Sequence, residues 1–147
     1  MYKRILLPLD GSRLAEQALP HAIAQAQGSE AKLVLLRVAE TLPHAPGVSA
    51  ADLERVRRQT IIWAQEYLEL VTEQVHEQGV QVESATVEGR PNIEITRFAE
   101  ANSIDLIVLS SRGRSGFSRW LMGSVADRVV RGATVPVLLV RVETLEH

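Results

Sequence analysis

Short apolar runs alternate along the chain with longer stretches of helical periodicity. Residues 3–9 form a nearly continuous apolar run, as expected of a central parallel strand covered on both faces. Pro8, near its end, is predicted to stop normal ladder pairing. Asp10-Gly11-Ser12 is turn chemistry, with Ser12 placed to cap a helix. Leu14, Ala15, Ala18, Leu19, Ala22, Ile23 and Ala26 then recur at helical spacing up to Gly28, a good stop. Pro20 lies inside that pattern and is predicted to bend the helix. Residues 32–38 read as the second strand, and residues 41–48 as a loop with two prolines and a glycine. Ser49-Ala-Ala-Asp52 is a capping box that opens a long helix reaching about Gln78. On it Leu53, Val56, Thr60, Trp63, Tyr67, Leu70 and Gln74 trace one face, with Ala64, Leu68, Val71 and Val75 beside it.

Residues 80–87 alternate weakly, which predicts an exposed edge strand. Gly89-Arg90-Pro91 starts a helix with Pro91 at its first position, and Ile93, Ile95, Phe98 and Ala99 supply its apolar side up to Asn102. Residues 105–109 are the fourth strand, residues 124–131 a helix ended by Gly132, and residues 136–142 the last strand. Strands and helices thus alternate throughout. This predicts a single α/β domain over residues 1–144, with a five-stranded parallel sheet and helices on both faces. Ligands in such folds bind beyond the carboxyl ends of the strands, where strand order reverses. If the first and fourth strands are neighbours there, Asp10 and the loop from Ser110 line one crevice.

That loop, SSRGRSGFSRWLMGS over residues 110–124, carries the strongest signal in the chain. It leads from a buried strand into a helix that Ser124-Val-Ala-Asp127 is predicted to cap as a capping box. Gly113, Gly116 and Gly123 remove Cβ atoms where a ligand could approach the backbone. The N–H groups of the helix's first turn favour an anion. No carboxylate occurs from Leu106 to Ala126, while Arg112, Arg114 and Arg119 fall inside. The segment reads as a phosphate cradle, or as a flexible connection whose arginines serve solubility. Asp10 is either a ligand contact or a turn former that bonds its own backbone. Arg112 and Arg114 are phosphate contacts or plain solvated arginines. Trp120 and Leu121 stack on a base or pack on the core, and Trp63 and Tyr67 fit a core stripe.

Composition narrows the chemistry. The formal net charge of −2 gives no global attraction to nucleic acid or anionic membrane. The absence of cysteine excludes disulfides, thiolate catalysis and Cys-ligated zinc, and fits a cytoplasmic setting. No segment is long enough to cross a bilayer, and the first apolar run is too short for a signal peptide. Leu145-Glu146-His147 read as the remnant of an expression tag. His21, His44 and His76 show no metal-ligand spacing, although His44 could approach the crevice. There is no Gly-x-x-x-x-Gly-Lys loop and no Gly-x-Ser-x-Gly elbow, so binding with at most slow hydrolysis is expected.

The whole chain resembles the universal stress protein family in its nucleotide-binding branch. The residues that carry this are the opening KRILLPLDGS, Val87-Glu-Gly-Arg-Pro91 with Glu94-Ile95, and the spacing of Gly113, nine residues, then Gly123-Ser124. The family motif has a further glycine where this chain has Ser110. The resemblance implies a Rossmann-like, adenine nucleotide alpha hydrolase-like fold with strand order 3-2-1-4-5. It implies ATP, alone or with Mg, as the ligand. Pro8, Leu9 and Asp10 would lie at the adenosine end, Asp10 near the ribose, and Val38 would border the adenine. Leu109 would sit beside the nucleotide, and Ser110 and Gly113 would approach the phosphates. Gly123, Ser124 and Val125 would offer backbone N–H groups, and Ser124 its hydroxyl. It also implies a stress-response role in which nucleotide occupancy biases dimerisation; the alternatives are a ligand-independent dimeric interaction module and a slow ATPase. The final strand, unbroken and apolar from Val137 to Val140, would be an open edge, covered by a two-fold mate through residues 136–142 or by a helix or the tail.

Overall fold

The computed structural model describes residues 1–41, 45–112 and 122–142. In chain order the elements are β1 (Arg4–Pro8), α1 (Arg13–Glu16), α2 (Leu19–Ser29), β2 (Lys32–Glu40), α3 (Ala50–Glu77), β3 (Val82–Gly89), α4 (Pro91–Ala101), β4 (Leu106–Ser110), α5 (Ser124–Gly132) and β5 (Val137–Val140). The strands form one parallel sheet in the order β3-β2-β1-β4-β5. Alternate residues of each strand face opposite sides. Ile5 and Leu7 of β1 therefore enter a core with alanines of α1 and α2 and with Leu68, Val71 and Val75 of α3. Leu6 enters the other core, with Ile95 and Ala99 of α4 and Ala126 and Val129 of α5. No helix among the described residues is long and apolar enough to cross a membrane.

The hydrogen bonding of β1 explains why a cleft opens beside it. Toward β2 its ladder runs from Arg4↔Lys32 to Pro8↔Leu36 and continues with Leu9 N donating to Leu36 O at 2.8 Å. Successive N–H groups of a strand point to opposite sides. Since the Leu9 N–H points at β2, the N–H that Pro8 lacks would have pointed at β4. The β1–β4 register correspondingly pairs only Ile5↔Leu106 and Leu6↔Ile107. Pro8 thus ends pairing on one side of β1 and leaves the other intact. The expected loss of the ladder holds for β4 and not for β2.

Three further sequence expectations are corrected. The first helix is not one bent helix but two: α1 ends at Glu16, and Pro20 falls in the first turn of α2, where a missing N–H breaks no bond. The end of α2 lies past Gly28, at Glu30, which takes the left-handed conformation at φ 53°. On α3 the buried line is Ala64, Leu68, Val71 and Val75, while Trp63 is 61% exposed and Leu70 64%. The small Ala64 faces the sheet, and its neighbour Trp63, a hundred degrees round the helix, is turned outward. The edge positions of β3 and β5, the N-cap role of Ser49 and the start of α4 at Pro91 agree with the sequence.

Candidate functional site

A cleft of about 300 Å³ lies beyond the carboxyl ends of β1, β2 and β4, where the strand order reverses. Pro8, Leu9 and Asp10 from β1 and its turn, Val38 from β2, Leu109 and Ser110 from β4, and Gly123, Ser124 and Val125 from the start of α5 all line it. The structure therefore brings together every residue that the family resemblance assigned to the nucleotide except Gly113, which lies outside the described residues with Arg114, Gly116, Arg119, Trp120, Leu121 and His44. The cleft also uses residues that sequence reasoning missed: Arg37 and Glu40 of β2, Thr60 and Ala64 of α3, and Pro91 and Ile95 of α4. Arg37 interrupts an otherwise apolar strand run, a signal that could have marked it. β2 also runs two residues beyond Val38, which carries its end over the crevice.

At the β1 end, Asp10 Oδ1 accepts from Ser12 N at 2.9 Å and from Ser12 Oγ at 2.5 Å. Ser12 Oγ in turn accepts from Ala15 N at 3.1 Å and caps α1. Asp10 is a turn former and a wall of the cleft at once. Beside it the Arg37 guanidinium lies 5.0 Å above the centre of the Tyr67 ring. The Tyr67 hydroxyl donates to Glu16 Oε2 at 2.7 Å. Burial, then the Glu16 carboxylate, push the Tyr67 phenol above its usual range.

At the β4 end the backbone is tied down on three sides. Ser110 Oγ donates to Arg112 O at 2.7 Å. Ser111 N donates to Val140 O at 2.8 Å, and Ser111 Oγ accepts from Val142 N at 3.2 Å. Ser111 O accepts from Gly123 N at 2.7 Å, which anchors the start of α5 to the end of β4. The helix begins one residue earlier than the capping box required. Gly123 is the N-cap, with φ −59° and ψ 154°, no side chain caps the helix, and Ser124 is its first residue. Asp127 N bonds Gly123 O, and the Asp127 carboxylate pairs with Arg131 at 3.1 Å instead of reaching back. Because the Gly123 N–H is occupied by Ser111, the N–H groups left without intrahelical acceptors are those of Ser124, Val125 and Ala126. They carry the positive end of the helix dipole into the cleft.

Arg112 also lines the cleft and is 5% exposed. Its Nη1 is buried with no hydrogen-bond partner, and no ion pair is found for it among the described residues. The site thus pairs a turn-held carboxylate and apolar strand ends on one side with helix N–H groups and a buried guanidinium on the other. This suits a ligand with a flat, largely apolar part and an anionic tail. Among the described residues no group of three His, Asp or Glu is placed to hold a metal ion.

An open parallel sheet in the order β3-β2-β1-β4-β5, with helices on both faces, defines a Rossmann-like α/β protein. The model of the universal stress protein family matches residues 1–141, and the chain belongs to that family. It is 36% identical over 141 residues to the universal stress protein MJ0531 of Methanocaldococcus jannaschii, covering 96% of this chain and 83% of the relative. Among solved structures, the universal stress protein UspA of Lactobacillus plantarum superposes with a TM-score of 0.85 at 27% identity, over 95% of this chain and 98% of that one. A family member from Arabidopsis thaliana with AMP bound shares the fold at a TM-score of 0.66 and 20% identity, over 97% and 93% of the two chains.

Proposed function

We propose that this chain binds an adenine nucleotide, ATP in the first place, in the β1–β4 cleft. The observation that carries the reading is the N-terminal turn of α5, whose Ser124, Val125 and Ala126 N–H groups open onto the strand-order reversal. In this reading Pro8, Leu9 and Val38 enclose the base and sugar, and Asp10 meets the ribose hydroxyls. Leu109 flanks the nucleotide, and Ser110 and Gly113 border the phosphates. Ser124 and Val125 donate to them through their backbone, while Gly123 contributes the space of its absent side chain. The site fits such a group: the cleft volume falls at the lower end for small-molecule pockets, and buried Arg112 Nη1 awaits an acceptor. Magnesium would be held by the phosphates rather than by a cluster of protein carboxylates. The AMP in the Arabidopsis structure belongs to a protein that shares the fold with this chain.

The biological role proposed is that of a cytoplasmic stress-response regulator acting through nucleotide occupancy and a homodimer, with hydrolysis slow at most. Residues 1–144 act as one unit, and β5 supplies the two-fold contact. Pro136 O and Val140 O accept from β4 and its extension, so the backbone groups of Val137 and Leu139 point to the open edge. Leu139→Pro removes an outward donor without touching the β4 ladder. Sedimentation equilibrium should then give half the mass of the parent protein; an unchanged mass would move the interface elsewhere. Titration calorimetry with ATP tests the binding itself. Saturable heat at or below millimolar ligand is the expected outcome, and its absence, with no thermal shift, removes the proposal.

A further inference from the structure

The apolar positions of α3 that the core does not use form a row on its outside. Val56, Trp63 and Leu70 are 48%, 61% and 64% exposed, and Ile62 beside Trp63 is 45% exposed. Residues seven apart on an α-helix differ by only about 20° in direction, so Val56, Trp63 and Leu70 make one stripe. At 1.5 Å per residue it runs for about 21 Å, and it is turned about 100° from the buried line of Ala64, Leu68, Val71 and Val75. Single exposed apolar residues are ordinary, but a contiguous row centred on a tryptophan has the composition of a contact surface. Trp63 also stands at the midpoint of the helix, Ala50–Glu77, and the charges divide there. Before it come Arg55, Arg57 and Arg58 with Asp52 and Glu54; after it come Glu66, Glu69, Glu73 and Glu77 and no arginine or lysine. Arg55 pairs with Asp52 at 3.0 Å, Arg58 with Glu54 at 3.4 Å and Arg57 with Glu88 at 2.6 Å. Glu66, Glu69, Glu73 and Glu77 make no ion pair among the described residues. Glu77, in the last turn, opposes the helix dipole. The acidic half therefore does nothing for the helix by itself.

We propose that the outer face of α3 is a self-association surface, occupied by α3 of a second copy lying antiparallel across a two-fold axis at Trp63. In that arrangement Trp63 meets its own counterpart, and Val56 of each copy lies level with Leu70 of the other. A contact of this kind needs a self-complementary surface, and the divided charge supplies one. At about 100° per residue, Arg55, Arg58, Glu66, Glu69 and Glu73 share the flank of the stripe turned away from the sheet. All of them are exposed. The two-fold axis keeps that flank on one side of the pair. Arg55 then lies level with the segment between Glu69 and Glu73 of the second copy, and Arg58 with the segment between Glu66 and Glu69. A parallel pair would set arginine against arginine and glutamate against glutamate, so the charges select the antiparallel orientation. The surface is separate from the open edge of β5, because α3 packs on β2 and β3, toward the opposite side of the sheet. It is also independent of the nucleotide reading.

Sedimentation equilibrium of the full chain tests the proposal. Three variants change exposed side chains only: Trp63→Arg, the pair Glu69→Arg and Glu73→Arg, and the pair Arg55→Glu and Arg58→Glu. Each should keep the parental circular dichroism, weaken the contact by about tenfold or more, and sediment at half the parental mass. The chain carrying all four charge reversals should regain the parental mass, because its pattern is inverted at both ends of the stripe. Damage to the fold would not be repaired in that way. A Trp63→Arg protein of parental mass would give the stripe to a different partner and overturn the proposal. Failure of the fourfold charge reversal to restore the mass, or a parent that sediments as a monomer, would overturn it too. Mass halved by Trp63→Arg and by the charge pairs but not by Leu139→Pro would keep the α3 contact and remove the β5 one. Mass halved by Leu139→Pro alone would do the reverse.

Discussion

Replacing Ser124 by proline separates the backbone contribution of α5 from everything else in the cleft. Ser124 is exposed and is the first residue of the helix, so its N–H has no intrahelical acceptor to lose. Gly123 before it, at φ −59° and ψ 154°, already has the extended conformation that a following proline requires. Proline at a first helical position is favoured, and it stiffens the unfolded chain by about 0.4–1 kcal/mol. The variant should therefore fold at least as stably as the parent. It lacks one N–H and one hydroxyl facing the proposed phosphates. A hydrogen bond to a charged group contributes about 1.5–3 kcal/mol. With a factor of ten for each 1.4 kcal/mol, loss of the N–H bond alone should raise the ATP dissociation constant by about 10- to 150-fold, and loss of the hydroxyl should add to it. Ser124→Ala, which removes only the hydroxyl, gives the share of the side chain. Calorimetry with ATP and with adenosine, beside a thermal melt, reads all three quantities. A folded Ser124→Pro protein that binds ATP with parental affinity would refute the reasoning.

Other outcomes follow from local geometry. Gly11 has φ +84°, and a Cβ there would meet Arg37 Nη1 at 2.7 Å. Gly11→Ala should destabilise the fold by about 1–2 kcal/mol and lower the melting temperature by about 2–4 °C per kcal/mol; an unchanged calorimetric midpoint would contradict this. Asp105 accepts from Lys3 N at 2.8 Å and Arg4 N at 2.9 Å, and those bonds hold its carboxyl below the usual range. Its contribution is present above the unfolded value of about 3.9 and is lost as pH falls through the folded one. Asp105→Asn should therefore weaken the fold at pH 7 and flatten the acid decline of the urea midpoint; parallel pH curves would count against it. The Tyr67 phenol, raised by burial and by Glu16, keeps its proton in the folded state. Its contribution is constant below the unfolded value of about 10 and declines as pH rises above it, so Tyr67→Phe should lessen the alkaline loss of stability. An alkaline decline as steep as the parent's would disprove that assignment.

The architecture was legible because the inner strands announce themselves by apolar runs, the β3 edge by weak alternation and each helix by its spacing, and alternation of strands with helices leaves few topologies. Asp10 and Ser110 could be placed in one crevice because they end strands, and ligand position follows from strand ends. What escaped depends on choices between near-equal local options. Ser124-Val-Ala-Asp127 satisfies the capping-box pattern, but the tertiary bond from Gly123 N to Ser111 O shifts the helix start by one residue. Trp63 and Ala64 both fit an apolar face, and only packing against the sheet decides which is turned inward. Arg112 reads in sequence as any loop arginine. Its burial is a matter of tertiary packing at the cleft, which no window of neighbouring residues encodes. The walls supplied by Thr60, Ala64 and Ile95 come from helices distant in sequence from the motif.

The central claim, that helix N–H groups of α5 hold the phosphates of an adenine nucleotide between β1 and β4, is tested most directly by amide resonances. An isotope-labelled sample titrated with ATP should show saturable shifts at Ser124, Val125 and Ala126, with smaller ones at Asp10 and Val38. Saturable shifts confined to another surface, or none at millimolar ATP, would contradict the claim.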